Sequence, residues 1–478
     1  LAAIRPLGHN RGMYSFFPTS VGQIVTLAAT SMGRIQNLYL LAPRSFWEQH
    51  YSPDGKTPDS QICAFASAHL MNACHNEGIF QPDNVRGVGA WIDNGKPVVN
   101  CGDVIWASDG TESHPSKFKG QYIYESGPRV FHPDATPLED KQAALVLEIC
   151  RKITWKTEHF AEILAGFLAI SPFGSALGWS PHIWINGPAG SGKSTIMDHI
   201  VTALVGDSGI VRAGGTSEAG MRKLLSNSGR VFVMDEFEAE NQQQKNELSK
   251  ILSVVRKSSS GATIDNAYDS FSLNGCFCFA SIVSRVDTVA DAGRITQLDL
   301  LPDKSPDSQD RFASLMDMIH ETLTPEYVRA LQSRTMRNLP TLLENIDAFV
   351  FAATGVFGNK RAGDQMGTIL AGTHSLTSTE KVTVEYARDW IMARDWAFHT
   401  DNYIESDAEK LITYIMTARI RYDFEGMSRE STVGELVEKA ASRSDPHKDT
   451  SDKALRPYGL RVKDGMLCIA NKAPQLNK

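Results

Sequence analysis

Apolar positions along the chain change period several times, and each change predicts an element or a boundary. Met13-Tyr14-Ser15-Phe16-Phe17, a Pro/Ser/Gly turn and Ile24-Val25-Thr26-Leu27 predict a hairpin. Residues 60–77 carry helical spacing. Trp91 to Trp106 predicts a second hairpin, turning at Asp93-Asn94-Gly95. Pro128, Pro133 and Pro137 with Gly127 mark a linker, so residues 1–135 read as an N-terminal α+β domain. Leu138 to Ile153 returns to helical spacing, and 136–180 reads as a helical subdomain. The longest apolar-looking stretch, Ile163 to Trp179, is broken by Gly166, Ser171, Pro172, Gly174, Ser175 and Gly178. It predicts a buried helix and a loop, not a membrane span. From 181 to 302 strand and helix patterns alternate, as in a parallel α/β sheet. Residues 303–400 read as a helical lid. Residues 401–478 end in a winged-helix outline: helices over Thr432 to Ala440 and Ser451 to Tyr458, then a hairpin through Lys463-Asp464-Gly465.

Composition adds limits. A length of 478 residues predicts several domains, and 42 % hydrophobic residues is ordinary for a globular chain. The first residue is Leu, which suggests a fragment or processed chain with an upstream domain. No basic-then-apolar leader is visible. The seven Cys match no disulfide framework and include no CxxC pair, so a reducing, cytoplasmic setting without a structural zinc is expected. Cys276 and Cys278 fit a strand core. His9, His132 and His182 read as structural. A net charge of −7 does not advertise a nucleic-acid binder, but an acidic exterior is compatible with a local basic lining.

The strongest chemistry follows the apolar run His182 to Asn186. Gly187-Pro188-Ala189-Gly190-Ser191-Gly192-Lys193-Ser194, then Thr195 and a helical pattern, is GxxxxGK[ST] between strand and helix. Glycines let backbone N–H groups converge on phosphate oxygens, and the helix presents its positive end to the anion. This predicts ATP binding, with Lys193 on the β- and γ-phosphates and Ser194 on Mg2+. Val231-Phe232-Val233-Met234 predicts a second buried strand ending in Asp235-Glu236. Asp235 would support Mg2+ and Glu236 would polarise the attacking water.

Cys276 to Ile282 predicts a third strand. Its Ser281 either helps place the water or simply caps the strand. Arg294 opens a further short strand after Asp291-Ala292-Gly293. It is a candidate arginine for a neighbouring subunit's γ-phosphate, against a surface ion pair, with Arg285 in reserve.

Together these elements resemble the AAA+ ATPases, within them the superfamily 3 helicases, and more closely the helicase part of primase–helicases of phages and integrated elements. Further matching text includes Arg86 to Trp91, Val98 to Asp103, Leu164 to Leu168, Gly214 to Gly220, Ser258 to Ala262 and, more loosely, Arg361-Ala362-Gly363-Asp364-Gln365. The likeness implies a hexameric ring on single-stranded DNA, ATP between subunits, an upstream primase partner and a phage- or prophage-encoded protein in the bacterial cytoplasm. One departure stands out: that superfamily usually carries Asn where this chain has Ser281.

In such rings a hairpin before the third strand points into the channel. Ser258 to Phe271 fits that slot, with Lys257 supplying charge and Tyr268 a stacking face. A plain surface hairpin is the alternative, and Arg222 and Lys223 are rival contacts. Lys448, Lys453 and Arg456 give the winged unit a modest basic face, suited to DNA or to protein docking. Three functions compete: a DNA-translocating helicase, a non-helicase AAA+ switch or loader acting with a partner, and a stand-alone NTPase of defence. No acceptor-binding motif suggests a metabolic kinase.

Overall fold

The computed structural model describes residues 3–212, 214–237, 242–261, 263–265, 270–282, 291, 293–394, 396, 412, 414–424, 426–442, 445–463 and 465–470. The chain divides into two compact units, Leu1–Asp401 and Asn402–Lys478.

The first unit begins with an antiparallel sheet of β1 (Ile4–Asn10), β2 (Met13–Pro18) and β3 (Val25–Ala28), against which α1 (Asp59–Glu77) packs. The expected first hairpin is β2–β3. Phe16, Trp47, Ile62 and Leu70 give residues 4–74 a core of their own. A four-stranded meander follows: β4 (Gly89–Asp93), β5 (Lys96–Asn100), β6 (Ile105–Ala107) and β7 (Glu112–Ser113). Its first turn places Asn94 at φ 50° and Gly95 at φ 76°, the two left-handed positions of a tight hairpin. Unlike residues 4–74, the meander shares the core of the central body through Ala90, Val99 and Trp106. Gly87 N donates to Asn227 O at 2.6 Å and Gly229 N to Val88 O at 2.8 Å, tying it to the loop before a core strand.

The expected helix over 138–153 is two pieces, Asp140–Ala143 and α2 (Leu145–Arg151), parted at Ala144. Next comes α3 (Phe160–Ile170), buried at every residue, as its apolar text requires.

The central sheet is parallel and five-stranded. It comprises β8 (His182–Asn186), β9 (Gly209–Arg212), β10 (Val231–Met234), β13 (Phe277–Ser281) and β14 (Ile295–Asp299), in the order β9-β10-β13-β8-β14. Between them run α4 (Lys193–Thr195, a π-helical turn Ile196–Val201 and Thr202–Val205), α5 (Glu218–Leu225), α6 (Gln242–Ser258) and the hairpin β11 (Thr263–Asp265) and β12 (Ser270–Ser272). Alternation splits each core strand between two layers. Trp184, Phe232, Phe277 and Phe279 face Met221, Leu225, Leu252 and Val255 of α5 and α6. Ile183, Ile185, Val233 and Cys278 face the side of α3 and α4. The third predicted strand therefore does lie between the two motif strands. This is the α/β, helix-flanked parallel sheet of a P-loop ATPase core.

Among the described residues, the unit continues with α7 (Ser308–Thr322), α8 (Pro325–Arg337), α9 (Leu339–Phe357), α10 (Lys360–Ser375) and α11 (Val384–Met392). α10 lies directly on α3, where a Cβ on Gly372 would stand 2.5 Å from Gly166 O. Only small residues allow that approach. No helix among the described residues is long and apolar enough to cross a membrane.

The second unit contains β15 (Arg419–Phe424), β16 (Met427–Thr432), α12 (Val433–Ala441), α13 (Lys448–Leu455), β17 (Leu460–Lys463) and β18 (Met466–Ile469). Ile415, Ile420, Val433, Leu436, Leu455 and Leu460 form its core, and Thr432 and Glu435 cap α12 reciprocally. Two helices and a terminal hairpin are as expected; the hairpin β15–β16 is an addition.

Candidate active site

The loop after β8 turns through Gly190 at φ 80° and Gly192 at φ 84°, where nothing lies within 4 Å of a would-be Cβ. Only glycine holds such a path without strain. Ile196 N donates to Gly192 O at 3.0 Å, so α4 opens immediately and presents its free N–H end to the loop. Gly187 is tight instead: a Cβ there would meet Ser191 Oγ at 2.3 Å. Ser191 Oγ is itself buried with no hydrogen-bond partner. Lys193 is half-buried and Ser194 exposed beside it. An open N–H cradle with an unsatisfied hydroxyl and a lysine fits a phosphate chain.

Next to the cradle lies a cavity of about 230 Å3, which sequence reading did not anticipate. Gly190, Ser191, Gly192 and Thr195 form one wall; Ile153, Thr154, Leu301, Phe312 and Leu315 form others. Its rim carries Arg311, paired with Asp303. The Ser305 hydroxyl and then Arg311 hold the Asp303 carboxyl down to about 2. The mostly apolar walls suit a flat ring attached to the phosphates. These residues come from segments before and after the sheet, so no local motif announces them.

The acidic pair follows β10. Asp235 N donates to Arg212 O at 3.1 Å, and Asp235 Oδ1 accepts from Glu236 N at 2.8 Å. Glu236 is exposed and sits at φ 53°, a left-handed turn rare for its type. Phe237 anchors that turn: its N–H donates to Ala280 O at 2.9 Å and its ring stacks on Phe279 at 4.5 Å. Gly214 is needed opposite, since a Cβ there would lie 2.9 Å from Glu236 O. Glu236 also lines a second cavity, of about 450 Å3, with Thr216, Ser217, Gln243 and Glu247.

Register brings these groups to one edge of the sheet. Asn186 is level with Ser281 and with Asp299, and Met234 with Phe279. The phosphate loop and the acidic pair thus stand two strand spacings apart, about 10 Å. Ser281, on the strand between, is fully buried, and its Oγ accepts from Trp184 Nε1 at 2.7 Å. Asn186, not singled out in the sequence, donates from Nδ2 to Asp299 Oδ1 at 3.1 Å, and its own Oδ1 is buried without a partner. A polar residue closing an apolar strand was the available signal.

Other candidates lie at the opposite edge. Ile295 pairs with His182, so Arg294 is level with Pro181. That is roughly 20 Å along the strand from Gly187, beyond an arginine's reach. Burial first, then Arg361 and Arg256, lower the Arg294 pKa. Arg256 grips the buried Asp291 with Nη1 at 2.9 and 3.1 Å. Lys257 is exposed in the last turn of α6, at this edge too, because Ser180 N donates to Ser259 O at 3.0 Å. The hairpin β11–β12 is formed, but its turn with Tyr268 lies outside the described residues, as does Arg285. Arg222 pairs with Glu218 at 2.7 Å, and Lys223 is exposed.

His182 is buried: Nδ1 accepts from Phe277 N at 3.2 Å, and Nε2 reaches Val255 O at 3.0 Å and Ser259 Oγ at 2.9 Å. Burial pulls its pKa down to about 3. Cys276 and Cys278 are buried as expected, and no cluster of metal ligands occurs among the described residues.

Residues 183–268, from the loop-bearing strand to the hairpin, match the model of the family described as RNA helicase. That stretch is similar to a helicase domain. Among solved structures, this helicase-type core has a likeness to "SCCmec type IV Cch - active helicase", at 11 % identity and a TM-score of 0.46, over 95 % of this chain and 87 % of that one. Another is "The A form apo structure of NrS-1 C terminal region-CTR", at 9 % identity and a TM-score of 0.34, over 90 % of this chain and 96 % of that one. A comparison with curated proteins gives no match.

Proposed function

We propose that the chain is an ATP-dependent DNA helicase motor, working as a hexameric ring that translocates on single-stranded DNA in phage or prophage replication. One observation supports this most: the phosphate cradle and acidic pair share one edge of the sheet, while Arg294 stands at the other. A copy therefore offers a nucleotide site at one end and an arginine at the other, as a head-to-tail ring requires.

In this reading Gly187 to Thr195 hold the triphosphate and Lys193 contacts its β- and γ-phosphates. The cavity beside Phe312 takes the base. Mg2+, held by Ser194 and Asp235, would neutralise phosphate charge. Glu236 accepts the proton of the attacking water. Ser281, turned to Trp184, positions the edge between the two motifs. Arg294 reaches the γ-phosphate of the neighbouring copy. Lys257 and Tyr268 meet the DNA backbone and bases.

Lys193→Ala is expected to abolish phosphate release, and wild type should be stimulated by single-stranded DNA and separate a forked duplex. A variant with full turnover would sink the ATPase assignment. Asp265, an acidic residue in the hairpin, favours a second reading, an AAA+ switch or loader acting with a partner. That reading expects slow, partner-stimulated turnover with no strand separation.

A further inference from the structure

Two cavities lie in series behind the phosphate loop. The smaller, where the proposed function seats the base, has Gly190, Ser191 and Gly192 along one side. The larger holds about 970 Å3, some fourfold more. Among the described residues, no part of the loop lines it; Arg151, Trp155 and Glu162 belong to it alone. Lys152, Ile153, Thr154 and Arg311 line both cavities and form the neck between them. The proposed function makes no use of the larger one.

Its walls are held from several elements. Thr154 O accepts from Leu301 N at 3.0 Å, and Lys156 N donates to Asp299 O at 2.9 Å, which straps the neck segment to the end of β14. Trp155 is half-buried, and its Nε1 donates to Cys150 O at 2.9 Å. The buried Glu162 carboxylate accepts from Arg394 Nε at 2.6 Å and from Arg151 Nη2 at 3.3 Å. A cavity tied in this way is preformed. The neck is different. Lys152 and Arg311 are exposed, flexible side chains, and Arg311 Nε is engaged by Asp303 at 3.1 Å.

In an extended nucleotide the base and the triphosphate lie at opposite ends of the ribose. The edge of the base that carries the exocyclic group is the part farthest from the phosphates. With phosphates on the loop and the ring between Ile153 and Phe312, that edge faces the neck. A site that rejects altered bases closes on this edge with fixed donors and acceptors. Here the edge is followed by open space with an indole in its wall. We infer that the nucleotide site continues through the neck, and that it takes nucleoside triphosphates whose base carries a bulky aromatic or alkyl group on its far edge. The added group lies in the larger cavity, against Trp155. This rests on the reading that seats the base beside Phe312.

The test follows phosphate release by the whole protein from ATP and from N6-benzyl-ATP. The KM for the analogue should lie within about threefold of that for ATP, at similar kcat. Lys193→Ala should lose both activities, which assigns both substrates to one site. Ser314→Trp on α7 and Ala393→Phe after α11 each fill the larger cavity, and neither residue lines the smaller. Each plug should raise the KM for the analogue roughly tenfold or more and leave that for ATP unchanged; unchanged ATP turnover also shows that the plugged chain is folded. If the wild type turns over ATP but excludes the analogue, the inference is wrong and the ATPase reading stands. If the analogue is used and both plugs leave its KM unchanged, its substituent lies elsewhere and the inference is overturned. If neither nucleotide binds, the ATPase reading fails and takes the inference with it.

Discussion

Glu236 shows how much of a candidate residue's setting is written elsewhere in the chain. Its identity and spacing from Lys193 were legible, because strand, loop and acidic pair are local text. Its left-handed backbone and dependence on Gly214 were not, since they arise where two strand ends meet. Gly214→Ala is expected to lower kcat by more than tenfold, roughly the effect of displacing a general base, while nucleotide affinity holds. Phosphate release beside a binding titration checks this. Gly355→Ala, with open space around its Cβ, is the control. His182 carries a different prediction. Its folded pKa of about 3 lies below the ordinary value, roughly 6.5. Between those values the unfolded chain binds a proton that the folded chain refuses. Stability should therefore fall as pH drops through that window, by at most about 1.4 kcal/mol per pH unit from this residue. Urea midpoints across the window, flatter for His182→Gln, measure it.

Elements were easiest to read where one period ran unbroken. The core strands, α1 and the Asp93-Asn94-Gly95 turn were legible for that reason. The expected helix over 138–153 divides at Ala144, where packing overrides a continuous pattern. β1 and β15 were missed. His9 and Asn10 dilute the first, and charges alternate through Arg419-Ile420-Arg421-Tyr422-Asp423 in the second. Sheet order cannot be read from periodicity, yet it brings the acidic pair within about 10 Å of the phosphate cradle. The hairpin β11–β12 has its own test. Lys257→Ala with Tyr268→Ala should leave basal ATPase unchanged and remove most stimulation by single-stranded DNA. Unchanged stimulation would move the DNA contact to another element.

At the scale of the molecule, the two units carry separate cores. A chain ending at Asp401 is expected to keep basal ATPase and the thermal midpoint of the larger unit. Calorimetry of the full chain should then show a separate transition for Asn402–Lys478. Loss of the larger transition on truncation would show that the units fold as one. The cavity beside the phosphate loop is also a whole-molecule property. Ile153 and Phe312 lie far apart in sequence, and only the packing of the helical layer places both beside Gly190. Phe312→Ala should raise KM for ATP several-fold with kcat little changed, as measured by steady-state turnover.

β8 joins two ends of the molecule that have been described separately. At one end it becomes the phosphate loop. At the other, His182 is held by Val255, Ser259, Phe277 and Gln365. A strand paired on both sides, with buried residues throughout, neither stretches nor buckles. In the proposed function, that makes the strand a rigid link between the phosphate loop and the far edge of the sheet.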